Sequence, residues 1–258
     1  VTVSPDHVLQ VEQLRVEVYS DRAAMGVAAA KVAGEQIVRS IAEKGHARVA
    51  FAAAPSQNEF LAALIADAAI DWSKVVAFQL DEYVGLPGDA PQLFGQFLTR
   101  GLFAQANPGE VHLIGPTASV ADAEARADAY TALIDAEPLD LVCLGIGENG
   151  HLAFNDPPVA DFNDPKRVKV VELDEPCRQQ QVNDGCFASF DLVPTHAITL
   201  TIPTLLSGAK SVCIVPGPAK REAVRATLNG PIAEACPASI LRTQSACTLF
   251  LDRASYGE

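Results

Sequence analysis

The chain has 258 residues, 49% apolar and 20% charged, with 19 basic against 32 acidic side chains and a formal net charge of −13. Such a length buries a large core without disulfide or metal support, and the composition excludes a disordered chain. The acidic balance excludes an unspecific nucleic-acid binder and requires any anionic ligand to be held in a local positive pocket against the overall field.

Taken in chain order, Leu14–Tyr19 alternates as a strand, and Ser20 or Asp21 caps an Ala-rich helix that runs to Lys44 and stops at Gly45. Arg48–Ala53 reads as a compact apolar strand, followed by Pro55-Ser56-Gln57 and a helical pattern through Phe60, Leu61, Leu64 and Ile65. Lys74–Leu80 and Leu139–Gly145 are further strands, as are Ala197–Ile202, Ser211–Pro216 and Thr248–Leu251. Apolar strands alternating with helices predict a three-layer α/β/α fold with a mostly parallel, Rossmann-like sheet. No repeat or linker divides the chain, so residues 1–258 read as a single domain. From Phe154 to Leu192 the sequence is polar and poorly periodic, which suits a binding segment or lid as well as an inert surface excursion. Six cysteines without a CxxC pair indicate reduced thiols, and neither a ~18-residue apolar run nor a basic-then-apolar leader occurs. The expectation is a cytoplasmic globular protein with no membrane or nucleic-acid partner.

Ligands of parallel sheets bind beyond the carboxyl ends of the strands, so the residues after each strand are the candidates. After the second predicted strand, Ala54-Pro55-Ser56-Gln57 runs into a helix N-terminus, where backbone N–H groups favour a phosphate, although Ser56 reads equally as a plain cap. After the third come Asp81 and Glu82. Alternation sends one into the cleft and the other into structural hydrogen bonds, unless both are solvated loop acids. After Leu139–Gly145 comes the densest run, Gly145-Ile146-Gly147-Glu148-Asn149-Gly150-His151, continuing to Asp156. Its glycines admit close backbone approach, His151 can shuttle protons, and Asn149 and Asp156 can orient it. No third glycine or ribose-binding acid makes this a dinucleotide site. Lys220 opens a helix, where the dipole disfavours a cation unless an anion is bound, and Arg178 lies in the polar segment. No histidine or cysteine cluster has metal-ligand spacing, and no P-loop or Gly-x-Ser-x-Gly elbow occurs.

DEYVGL at Asp81–Leu86, GIGENGHLAFNDP at Gly145–Pro157 and PGPAK at Pro216–Lys220 together resemble the glucosamine-6-phosphate deaminase/isomerase family, a likeness extending from about Leu14 to Asp252. The resemblance implies conversion of glucosamine 6-phosphate to fructose 6-phosphate and ammonia, without metal or organic cofactor. It implies that Asp81 moves the C2 proton to C1 and that His151 opens the pyranose ring, supported by Asn149 and Asp156. Arg178 and Lys220 would bind phosphate with the loop Ala54–Gln57. The chain departs from the family pattern at Asp156, where Glu is usual, in the glycine-free phosphate loop, at Ala90 and Leu93 in place of His and Ser, and at Gln244 in place of His. The basic allosteric residues of some members are unmatched, so activation by an N-acetylated sugar phosphate is not expected, while a homo-oligomer is possible. The alternatives are a 6-phosphogluconolactonase, against which Tyr83 and Ala153–Asp156 argue, and a catalytically silent sugar-phosphate sensor.

Overall fold

The computed structural model describes residues 3–258. Eleven strands are present among them: β1 His7–Val11, β2 Leu14–Tyr19, β3 Ala47–Phe51, β4 Val75–Gln79, β5 Asp81–Tyr83, β6 Glu110–His112, β7 Leu141–Leu144, β8 Val168–Glu172, β9 His196–Leu200, β10 Lys210–Val215 and β11 Cys247–Asp252. Eight form the main sheet in the order β1-β2-β11-β10-β7-β3-β4-β6, and only the β1–β2 hairpin in it is antiparallel. The other three form a small antiparallel sheet, β5-β9-β8.

The main sheet is buried on both faces, and its strands alternate between two cores. Val49, Phe51, Leu141, Cys143, Val212, Ile214 and Phe250 pack with helices α1 (Arg22–Lys44) and α2 (Asn58–Ile65). Ala50, Val142, Leu144, Cys213, Val215 and Leu249 face the other way, toward α3 (Val120–Asp135), α5 (Arg221–Asn229) and the small sheet. This is the three-layer arrangement that continuous apolar strands require, because a strand solvated on one face would alternate with polar residues. Helix α1 begins where its cap was read, with Asp21 accepting from the Ala24 N–H, and ends at left-handed Gly45.

Two expectations are corrected. The strand read at Ala197–Ile202 is β9 of the small sheet, not a member of the parallel one: Thr199, buried in it, pairs with Asp81 of β5, so it covers the ends of the main strands. The polar segment 154–192 is not a plain loop, because it contains β8 and helix α4 (Glu175–Asn183), capped by Asp174. Among the described residues no helix is long and apolar enough to cross a membrane, and the six cysteines are unpaired.

The strand order reverses between β3 and β7: the chain leaves β3 toward β4 and β6 on one side, and leaves β7 toward β10 and β11 on the other. Loops diverge at such a switch point and open a crevice beyond the carboxyl ends.

Candidate active site

The crevice is a cavity of about 510 Å³, a size that suits a small ligand. Each parallel strand around the switch point contributes its carboxyl end: Ala52–Gln57 after β3, Leu80 and Asp81 after β4, Gly145–Gly147 and His151 after β7, and Pro216–Lys220 after β10. Gln180, Gln181 and Asp184 from α4 and its end close the far wall.

Asp81 and Glu82 divide as the alternation of a strand requires. The Glu82 carboxylate turns inward and accepts from the N–H groups of Tyr83, Phe94 and Gly95 and from Gln79 Nε2, all at 2.8–3.0 Å. Asp81 faces the cavity, and its carboxylate accepts no hydrogen bond from the described residues. Burial first, then the charges of Glu82 and Asp156, push the Asp81 carboxyl well above the usual carboxylate range. A group so poised is a proton acceptor whose basicity a cationic ligand would reset.

His151 also faces the cavity. Its Nδ1 lies 2.9 Å from Asp156 Oδ1, at an angle poor for a hydrogen bond, so the contact is chiefly electrostatic. Asn149 ties the pair together: its Nδ2 donates to Asp156 Oδ1 at 3.0 Å, and its Oδ1 accepts from the His151 N–H at 3.0 Å. Burial opposes the Asp156 charge, yet His151, Asn149 and Cys177 together hold its carboxyl below the usual range. Gly150, at φ 84°, makes the turn into His151 and presses against Cys236, where a β-carbon would stand 2.8 Å from Sγ.

Lys220 is 8% exposed, and no carboxylate among the described residues pairs with it. Burial lowers its pKa, an effect that Asp184 and Glu148 oppose from a distance. A buried, unpaired ammonium at a cavity wall is costly unless an anion arrives. The loop Ala54–Gln57 lies in the same wall, with Gln57 Nε2 donating to Ile214 O at the end of β10.

Arg178 is the expectation that fails. Its guanidinium donates to the carbonyls of Phe190 and Val193 at 3.1 and 2.9 Å and stacks on the Phe190 ring, 4.1 Å from the centroid, and it is not part of the cavity lining. The turn of α4 that follows Cys177 sends it away from the cavity, where planar stacking on Phe190 and two carbonyls on Nη2 hold it while its buried Nε has no partner. The second cation of the lining is Arg22, whose Nη2 donates to Pro55 O at 3.1 Å and to Glu59 at 3.0 Å. Arg22 is the first residue of α1, so the dipole argument that singles out Lys220 applies to it equally and would have found it.

His151, Asp156 and Cys177 carry three potential metal donors within 4.8 Å of one another. A catalytic metal keeps an open position toward its substrate, whereas Asp156 and Cys177 stand outside the cavity lining, so the trio does not make such a centre.

Residues 20–250 match the family described as glucosamine-6-phosphate isomerases/6-phosphogluconolactonase. The chain belongs to that family. The glucosamine-6-phosphate deaminases of Bacillus thuringiensis (strain Al Hakam) and Bacillus cereus (strain AH820) are each 36% identical to it over 184 residues, which cover 71% of this chain and 68% of theirs. A solved structure of a monomeric glucosamine-6-phosphate deaminase superposes with a TM-score of 0.83 at 30% identity, covering 93% of this chain and 98% of that one. A 6-phosphogluconolactonase from Shewanella baltica superposes at 0.76 with 17% identity, over 95% of this chain and 100% of that one, which shows the shared family fold alone.

Proposed function

We propose that this family member is a glucosamine-6-phosphate deaminase, acting through the cavity at the β3–β7 switch point as one sugar-phosphate isomerase domain. The observation that carries this reading is that Asp81, His151 and the unpaired Lys220 wall a single cavity. Lys220, Arg22 and the N–H groups of the Ala54–Gln57 loop would hold the phosphate dianion, whose two charges match the two cationic side chains of the lining.

With the phosphate anchored, the sugar extends toward His151 and Asp81. His151 takes the proton of the C1 hydroxyl and returns one to the ring oxygen, which opens the pyranose to the aldehyde. Asp156 and Asn149 hold the imidazole and stabilise its transient positive charge. Asp81, ionised beside the substrate's ammonium group, removes the C2 proton; the ammonium passes one of its protons to O1 as the C1–C2 enolamine forms, and the same carboxyl delivers its proton to C1. The carbon–nitrogen bond at C2 is then an iminium, to which water adds, and ammonia departs to leave the 2-ketose 6-phosphate. One positioned base suffices, because the proton moves between neighbouring carbons. The six unpaired cysteines agree with a reducing compartment, the cytoplasm.

The test is ammonia release from glucosamine 6-phosphate and galactosamine 6-phosphate, run beside hydrolysis of 6-phosphogluconolactone. Release from the first amino sugar supports the reading. Lactone hydrolysis without ammonia release, or tight binding of the sugar phosphate with no turnover, overturns it.

A further inference from the structure

We propose that Asp252 is a positioning residue for Lys220, its carboxylate holding the Gly217 turn that carries the lysine into the cavity wall. This deepens the function proposed above, since it rests on Lys220 being the phosphate anchor.

Strand β10 ends at Val215, whose pairing with Leu251 is the last of the β10–β11 ladder. Pro216 follows and has no N–H to offer, so the ladder stops and the Gly217 amide needs a partner from elsewhere. Asp252, the residue after Leu251, supplies it with a side chain: Oδ1 and Oδ2 both accept the Gly217 N–H, each at 3.0 Å. The carboxylate is buried, and Oδ1 also accepts the Ser255 N–H at 2.8 Å, which caps the short helix α6 (Arg253–Tyr256).

Gly217 requires such a hold. Its φ of 92° and ψ of 153° are open essentially to glycine alone, although no other segment of the chain comes within 4 Å of where a β-carbon would stand. Conformation and not space dictates the residue, and a charge-assisted bond to its N–H offsets the cost of keeping that conformation. On the carbonyl side, Gly217 O accepts the Lys220 N–H at 3.1 Å and closes the turn Pro218–Lys220. The glycine is therefore gripped from both ends, by Asp252 and by the backbone of the lysine it places. Arg221, next along the chain, makes a second tie to α6 through Ala254 O at 3.3 Å.

Pro216 to Lys220 line the cavity, whereas Asp252 stands behind them outside the lining. Asp252 thus acts on a ligand only through the turn. A lysine whose backbone is fixed in advance keeps its ammonium at the wall, and less ordering remains to be done when an anion binds.

The experiment follows inorganic phosphate binding to the ligand-free protein by phosphorus NMR titration, beside KM and kcat for ammonia release from glucosamine 6-phosphate. Asp252→Ser keeps a cap for α6, but its single hydroxyl is one bond shorter and cannot hold Gly217 as well. The phosphate dissociation constant is expected to rise about fivefold, as for one lost hydrogen bond, with KM rising alike and kcat staying within about twofold. The decisive comparison is made in the Lys220→Ala background. Acting through the lysine, Asp252→Ser there weakens phosphate binding by less than about 1.5-fold, whereas a merely structural role multiplies the two losses. Should the serine variant not fold, Asp252→Asn gives the same comparison, because an amide offers one acceptor oxygen to two N–H groups. Unchanged phosphate binding in the Asp252 variant, or the full loss repeated in the Lys220→Ala background, overturns the proposal. A parent protein that binds phosphate but releases no ammonia overturns the functional reading alone, and the paired variants still decide the role of Asp252.

Discussion

The imidazole of His151 lies against the α-carbon of Gly147 so closely that a β-carbon there would stand 2.1, 2.2 and 2.3 Å from Cε1, Nε2 and Nδ1. The two residues are also joined through the backbone, the Gly147 N–H donating to His151 O at 3.0 Å. The glycine is thus the floor on which the ring rests.

Gly147→Ala must push the ring off that floor. A misplacement near 1 Å costs on the order of 100-fold in rate, so kcat is expected to fall at least that far while the protein still folds. Steady-state ammonia release with a circular-dichroism melt checks this, and near-normal kcat would refute the placement.

Asp81→Asn removes the candidate base and is expected to abolish exchange of the C2 proton with solvent while sugar-phosphate affinity stays within about tenfold. It should also stabilise the fold. The folded carboxyl is raised above its unfolded value of 3.8, so between the two values the native state keeps a proton that the unfolded chain has released. Stability therefore falls as pH rises through that window, and the cost is complete above the folded pKa. Asn carries no such cost. The gap between variant and parent melts should widen from acid to neutral pH, each kcal/mol recovered raising Tm by about 2–4 °C in a chain of this size. Equal melting at neutral pH would show that Asp81 is not strained.

The phosphate assignment separates three cations. Lys220→Ala should raise KM by ~10-fold or more, the loss of a charge-assisted contact of roughly 1.5–3 kcal/mol. Arg22→Gln should raise KM by several-fold, about 1 kcal/mol, because its guanidinium is shared with Glu59 and half exposed. Arg178→Ala should leave KM within about twofold and lower Tm instead, since it breaks two bonds to carbonyls and a ring stack. A large KM effect at Arg178 would reverse the assignment.

Glu82→Gln tests the inward half of the acid pair. Its carboxylate accepts three backbone N–H groups, and an amide would turn a second donor toward them. Destabilisation of about 2–4 kcal/mol is expected, read by denaturant unfolding, and it should disturb Asp81 through the shared β5 backbone. A neutral effect would mean that the Phe94–Gly95 turn is held by other contacts.

Much of this was legible in order along the chain. Continuous apolar runs announced the buried parallel strands, Asp21 and Gly45 bounded α1, and Gly147, Asn149 and His151 stood together because a glycine-rich turn after a core strand is a local pattern. The partition of Asp81 from Glu82 was likewise local, since successive strand residues face opposite ways. Which way was not local: it took Phe94 and Gly95, twelve and thirteen residues on, to claim Glu82.

Local patterning of this kind determined the layers, the strands β2, β3, β4, β7, β9, β10 and β11 and the candidate base and imidazole, but not β1, β5, β6 or β8, because the hydrophobic period and turn chemistry act over a few residues. Tertiary structure alone decided the rest. It moved β9 to a second sheet, turned Arg178 away from the cavity onto Phe190, brought Arg22 to the loop 33 residues away, and set Cys177 against Asp156. Those outcomes depend on side-chain direction and on contacts between distant segments, which no period in the sequence encodes.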